Sequence, residues 1–371
     1  MGVNRSHSPV SAAYRGTLNP PTVPRAPSPG WRRGSSGPAF ARRALCVATV
    51  ALSSACANQS PWPGDAVAYI VAGSRPGVSL ASPSGDGERT IAYERARIER
   101  IRWSPDGSSL AVAGSGGTLS VFRADGSSTR RLIDDDIVYM KAWSPDGARI
   151  AFAHPTGSAS KADAETLVVE LETGIRTVLL RNGVDPTWSP DGRSLAFERC
   201  VNLANGIDCD IWRADADGTH ARAIVTGPTI DMTPVWSSDG RHVAFERLPS
   251  GASSAVVGLA NADGSDAHVL SPGLPTTGGI RWSPDSAHIT YERQVGVVGR
   301  GTWIVAVDGA NDRQFLASGC DLDWSPDGAR IAYQEPCITG AGGVFVAAAD
   351  GTNPRMLVER GSSPVWRPAR R

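Results

Sequence analysis

One pentapeptide governs what this chain can fold into. Trp103-Ser104-Pro105-Asp106-Gly107 recurs at Trp143–Gly147 and Trp188–Gly192, returns with small changes from Trp236, Trp282 and Trp324, and ends as Trp366-Arg367-Pro368. The Trp-to-Trp spacings are 40, 45, 48, 46, 42 and 42 residues. Behind each of the first six comes a short apolar stretch, from Leu110-Ala111-Val112 to Ile331-Ala332-Tyr333. A second turn, Ala-Asp-Gly, follows at Ala124–Gly126, Ala216–Gly218, Ala262–Gly264 and Ala349–Gly351. Pro presets φ for the first turn position, Asp bonds its own backbone, and Gly takes the left-handed conformation that follows. Each unit therefore reads strand, tight turn, strand, variable loop, strand, tight turn, strand.

Four short strands per 40–48 residues is the period of a β-propeller blade. A single blade cannot bury both of its faces. Trp103, Trp143, Trp188, Trp236, Trp282, Trp324 and Trp366, with the Ala-Phe or Ala-Tyr pairs, supply large and small side chains for blade-on-blade packing. Strand candidates Val67–Ile70, Val78–Ala81 and Arg89–Tyr93 lack an innermost partner, and Pro364-Val365-Trp366 is an innermost strand lacking the other three. Joining them closes a ring without an exposed edge. The expected fold is all-β: a seven-bladed β-propeller of four-stranded antiparallel blades, closed by the C-terminal strand in the N-terminal blade. Six or eight blades follow if Trp62 or Trp366 is used otherwise. Ser238 replaces the turn Pro, and Ser286 replaces the left-handed Gly at a cost of up to about 1 kcal/mol.

The repeat resembles the TolB-type, WD-like propeller repeat of bacterial envelope proteins over about residues 66–366. The resemblance implies an envelope protein or cell-wall component as partner. TolB-type proteins also carry a separate α/β domain before the propeller, whereas here a short tether leads straight into strands.

The N-terminus reads as an address. Residues 1–55 hold seven arginines and no Asp or Glu, which leaves 30 basic against 37 acidic groups in the rest of the chain. Residues 1–41, rich in Pro, Ser, Gly and Arg, cannot bury a core and read as disordered. Arg42-Arg43, an uncharged stretch to Ala55 and small residues before Cys56 make a secretory signal. Leu52-Ser53-Ser54-Ala55-Cys56 resembles a lipobox, with Cys56 the acylated residue, although its Leu sits one place early. An ordinary cleavage before Asn58 is the rival. The expected division is 1–55 extension plus signal, 56–65 tether and 66–371 propeller, in an exported protein whose membrane contact is its lipid anchor. A body with excess acid and no basic stripe argues against nucleic acid. No apolar run reaches the roughly 18 residues that span a bilayer.

Loops between second and third strands, and between blades, are long and dissimilar, and both classes emerge on one face. Function sits on loops held by a rigid scaffold, so that face and its central channel are the expected binding site. Cys200 and Cys209 bracket one such loop, Cys320 and Cys337 lie on neighbouring strands, and in an exported protein both pairs read as disulfides. Zinc is the alternative, without a Cys-x-x-Cys spacing or a His pair to accompany it. Asp134, Asp135 and Asp136, with Asp185, Asp231, Asp321 and Asp323, enter the same face. They read as a docking patch or cation site, against the plainer alternative of solvated loop charge and turn capping. The Asp-x-Asp-Gly at Asp215–Gly218 lacks the later ligands of a calcium loop.

No catalytic constellation appears. There is no nucleophile elbow or phosphate loop, and the histidines (His7, His154, His220, His242, His268, His288) are scattered. The expected function is a non-enzymatic, monomeric envelope propeller that docks a protein or cell-wall partner, with no cofactor and no metal. The rivals are a propeller lyase or hydrolase acting on polysaccharide or peptide, and an envelope ligand sensor.

Overall fold

The computed structural model describes residues 65–369, apart from 74, 86, 95–96, 135–138, 157–160, 205, 253, 296–298 and 338–341. Its punctuation is the repeated turn. Ser104 Oγ donates to Asp106 Oδ1 at 2.6 Å and accepts the Ser109 amide, while Asp106 Oδ1 accepts the Ser108 amide. The same circuit recurs at Ser144/Asp146, Ser189/Asp191, Ser237/Asp239, Ser283/Asp285 and Ser325/Asp327. Ser286 takes the left-handed conformation expected of Gly, with φ 60°, and its Oγ accepts the Asp239 amide of the neighbouring blade at 3.0 Å. An added hydrogen bond between blades thus offsets the strain.

Around these turns the chain forms seven four-stranded antiparallel blades. The first takes Ser362–Trp366 as its inner strand beside Val67–Val71, Gly77–Ala81 and Glu88–Tyr93. Val67 faces Trp366 and Ala68 faces Val365, so the C-terminus closes the ring as the unpaired strands required. Blades two, three and four begin with Ile98–Trp103, Tyr139–Trp143 and Val184–Trp188. Blade five begins with Ile230–Trp236 and blade seven with Cys320–Trp324.

Blades five and six share one strand. His268–Trp282 pairs with Ala255–Asn261 through its first part, as Gly258 to Val269, and with His288–Val295 through its last, as Trp282 to Ile289. The connection between these two blades, expected from sequence to be a loop, is therefore extended backbone over Ser271–Gly278. Two of the connections between second and third strands, expected to be loops, are largely strand as well. Ser194–Leu203 and Gly206–Asp215 pair without interruption as far as Leu203 opposite Gly206, and His288–Val295 pairs with Gly299–Ala306.

The core lies between blades. Ala111, Leu119 and Ile133 of blade two pack with Trp143, Ile150 and Phe152 of blade three, and Tyr69 of blade one packs with Ala332 and Val344 of blade seven. Phe152, Phe197, Phe245 and Tyr291 occupy the same place in successive blades and are fully buried. Each contributes roughly 1.5–3 kcal/mol of burial. The indoles add directed links: Trp143, Trp236 and Trp282 donate to the carbonyls of Arg102, Thr187 and Val235 in the preceding blade.

Candidate functional site at the channel mouth

The strand registers fix which face carries the variable loops. The inner strand ends beside the start of the second strand at the Ser-x-Asp turn, as Trp188 opposite Leu195. It begins beside the end of the second strand, as Ile230 opposite Leu248 and Cys320 opposite Gln334. The interblade connections and the long hairpins therefore share the face away from the repeated turns.

At this face the inner strands are bulged. Asp185, Thr233, Asp321 and Ser363 hold φ between 49° and 51°, and Gly279 takes 74°, each where the register with the second strand shifts. At Asp321 and Thr233 the bulge turns an amide out of its own blade, and a carboxylate from the preceding blade accepts it. Glu292 Oε1 accepts the Asp321 amide at 2.8 Å, and Glu198 Oε2 accepts the Thr233 amide at 3.3 Å. Both carboxylates are buried, with Arg300 2.9 Å from Glu292 and Lys161 3.0 Å from Glu198. Burial pushes both above the usual carboxylate range, against the pull of these hydrogen bonds and cations, and pushes Glu246 the same way.

The acidic residues singled out from sequence divide. Asp231 is fully buried and pairs through both oxygens with Arg247, at 2.8 and 3.0 Å, so it is a structural ion pair of blade five. Asp323 Oδ2 accepts the Trp366 amide at 2.7 Å, and burial raises its carboxyl. Asp321 Oδ2 accepts the Ser363 hydroxyl at 3.0 Å. Asp185 lies 3.6 Å from Lys161. Asp134 is exposed and paired with Arg131, while Asp135 and Asp136 lie outside the described residues, as does Cys56.

Sequence reasoning missed the cations. Arg100 and Arg102 of blade two and Arg281 of blade six interact electrostatically with one another and with Asp321 and Asp323 of blade seven, and Arg100 also with Asp185 of blade four. Burial, then the charge of Arg281, lowers both blade-two guanidiniums, Arg102 to about 9. Basic and acidic residues therefore alternate among the inner strands that carry Asp185, Asp321 and Asp323.

Cys200–Cys209 and Cys320–Cys337 are disulfides, with Cα separations of 4.1 and 5.5 Å. Cys200 and Cys209 face one another in register, so that bond crosses a β-ribbon instead of clamping a loop. Glu198, Cys200 and Cys209 converge like a metal cluster, but both sulfurs are spent on each other. His220 and His268 bond to groups of the tight turns, away from the channel. At Asp215–Gly218 the carboxylate of Asp217 is taken by Thr219, as a turn requires.

Seven blades closed by a shared first blade around a channel define a β-propeller. A family model described as the TolB beta propeller domain, PD40, matches residues 113–370. The chain belongs to that family. No curated protein sequence matches it. Among solved structures it is similar to TolB from Acinetobacter baumannii, at 17% identity and TM-score 0.49, over 81% of this chain and 82% of that one. It is similar to an oligogalacturonate lyase from Vibrio parahaemolyticus at 12% identity and TM-score 0.57, over 80% and 87% of the two chains. A puromycin hydrolase mutant complexed with PGG gives 16% identity and TM-score 0.61, over 81% of this chain and 53% of that one. At these identities the likeness is one of fold.

Two disulfides fit an oxidising compartment and an exported protein. Among the described residues no helix is long and apolar enough to cross a membrane.

Proposed function

We propose that this protein is a non-enzymatic binding propeller of the bacterial cell envelope, exported by residues 1–55, anchored through Cys56, tethered by residues 56–65 and docking a protein or cell-wall partner on its variable face as a monomer. One observation carries this reading. The two faces treat their polar groups differently. On the turn face the Ser and Asp side chains are consumed by their own backbone, as at Ser325 and Asp327. On the variable face, the inner strands of blades two, four, six and seven carry charged residues, Arg100 and Arg102, Asp185, Arg281, and Asp321 and Asp323. Fixed charge on a rigid ring suits selection of a partner more than holding the ring together.

The experiment is affinity capture of the mature protein from detergent-solubilised envelopes, with mass spectrometry and metal analysis. Variants Asp321→Asn on the channel face and Asp350→Asn on the turn face are run in parallel. A stoichiometric partner weakened by the first and kept by the second supports the docking reading. A bound metal or sugar fragment with no protein partner would instead support the enzyme or sensor.

A further inference from the structure

We propose that the cleft between blades six and seven, on the turn face, is a second site that binds a neutral saccharide ring. It is separate from the channel mouth and goes beyond the docking reading above.

A cavity of about 410 Å³ lies there. Arg313 and Phe315 line it from Arg313–Leu316, the outer strand of blade six, and Trp324 lines it from blade seven. Asp285, Asp327 and Asp350 of the surrounding turns complete the wall. Phe315 accounts for the space. At two other blade junctions the Ala-Asp-Gly turn closes on the backbone of the blade before it. A Cβ on Gly264 would stand 2.3 Å from the Ile224 carbonyl oxygen, and one on Gly218 2.1 Å from that of Leu179. A Cβ on Gly351 would meet the Phe315 ring instead, at 3.3 Å. The aromatic ring holds this turn off the backbone of blade six.

The same cleft releases an arginine. Arg313 stands opposite Ile304 as Arg130 stands opposite Val121, Arg222 opposite Arg213 and Arg355 opposite Val346. Those three donate to turn carbonyls of the next blade: Arg130 to Leu171 and Glu172, Arg222 to Asp263, Arg355 to Pro83 and Ser84. Among the described residues Arg313 has no such acceptor, and its guanidinium lies 5.9 Å from the centroid of the Phe315 ring. Trp324 stacks on Phe315, with centroids 6.3 Å apart and planes at 14°. It is partly exposed, whereas the other six repeat tryptophans are buried.

The polar groups select the ligand. Asp285, Asp327 and Asp350 each commit Oδ1 to their own turn, which leaves Oδ2 to accept. A guanidinium only donates. A cationic ligand would meet Arg313, and an anionic one would meet three carboxylates. A neutral ring of hydroxyls donates to the carboxylates and accepts from the guanidinium, while its C–H face lies against an aromatic surface. The volume falls in the small-ligand range of roughly 300–1,000 Å³.

The test titrates the purified full-length protein with methyl glucoside, methyl galactoside and N-acetylglucosamine, with choline and phosphate as charged comparators. Saturation-transfer NMR and calorimetry are read for the parent, for Arg313→Gln and for Phe315→Leu, which installs the residue found at Leu270 and Leu357. The site predicts saturable binding of at least one saccharide, about tenfold or more weaker in both variants: the first loses a charge-assisted hydrogen bond, the second lets the turn close. Partner capture at the channel face should be unchanged in both. No saturable saccharide binding overturns the site, as does binding of equal strength in the variants or a preference for choline or phosphate over every saccharide. Arg313 is exposed, so Arg313→Gln keeps the test decisive if Phe315→Leu fails to fold. Failure of the saccharide site leaves the docking reading standing, because that reading is tested by Asp321→Asn on the opposite face.

Discussion

Glu292 in blade six accepts the backbone amide of Asp321 in blade seven at 2.8 Å, so a side chain of one blade caps the bulge of the next. The geometry needs both the left-handed backbone at Asp321, φ 51°, and a carboxylate buried at the end of the second strand.

Removing that acceptor strands a buried donor. Glu292→Ala is expected to lose about 1–3 kcal/mol, and Glu292→Gln, which keeps a carbonyl oxygen, distinctly less. Urea unfolding of the two variants measures the difference; equal losses would show that the cap contributes nothing specific.

Gly258 faces the ring of Phe245, and a Cβ there would stand 2.4 Å from Phe245 Cε2. Phe245 is fully buried between blades and has no room to retreat. Gly258→Ala should therefore cost about 1–3 kcal/mol by overpacking. Thermal unfolding reads it, and an unchanged midpoint would mean that this interface is looser than described.

The two disulfides should differ in worth. Cys320–Cys337 closes a separation of 17 residues, whereas Cys200–Cys209 closes 9 within a ribbon already paired along its length. Replacing Cys320 and Cys337 by Ala is expected to cost about 3 kcal/mol from loop-closure entropy, and the Cys200/Cys209 pair less. Denaturant midpoints of the two double variants rank them.

Acid should loosen the turns. Hydrogen bonds from Ser144, Ser189, Ser283 and Ser325, followed by backbone amides, hold Asp146, Asp191, Asp285 and Asp327 below the usual aspartate range. A carboxyl lowered on folding contributes stability fully present above its unfolded pKa, about 3.9, and lost as pH falls through the folded value. Asp327→Asn should flatten the fall of urea midpoint below about pH 4, whereas Glu292, raised by burial, acts in the opposite sense at higher pH. A parallel acid limb in Asp327→Asn would contradict the assignment.

The ring was legible because its signals are local and repeated. Seven Trp turns counted the blades, and the leftover strands at Val67 and Trp366 dictated how the ring closes. The cysteine pairs were legible for the same reason. The ribbon at Glu198–Asp210 reads as a loop when the two cysteines are taken as its brackets, whereas Asn205-Gly206 is a hairpin dipeptide that signals paired strands. The channel charges were harder to see. Arg102 and Arg281 each precede a repeat Trp, and the two-residue period of a strand turns them away from the indole. Phe197-Glu198-Arg199 and Tyr291-Glu292-Arg293 repeat the capping carboxylate just as plainly. Charge counting along the chain found Asp231 and Asp323 instead, because sequence shows an acid but not the amide or guanidinium that engages it.

The central claim is that partners meet the channel face and not the turn face. A photocrosslinking residue placed at Arg100, on the channel, and separately at Asp125, in an exposed tight turn, tests it in intact cells. The account predicts a specific adduct from position 100 and none from position 125. An adduct from position 125 alone would contradict it.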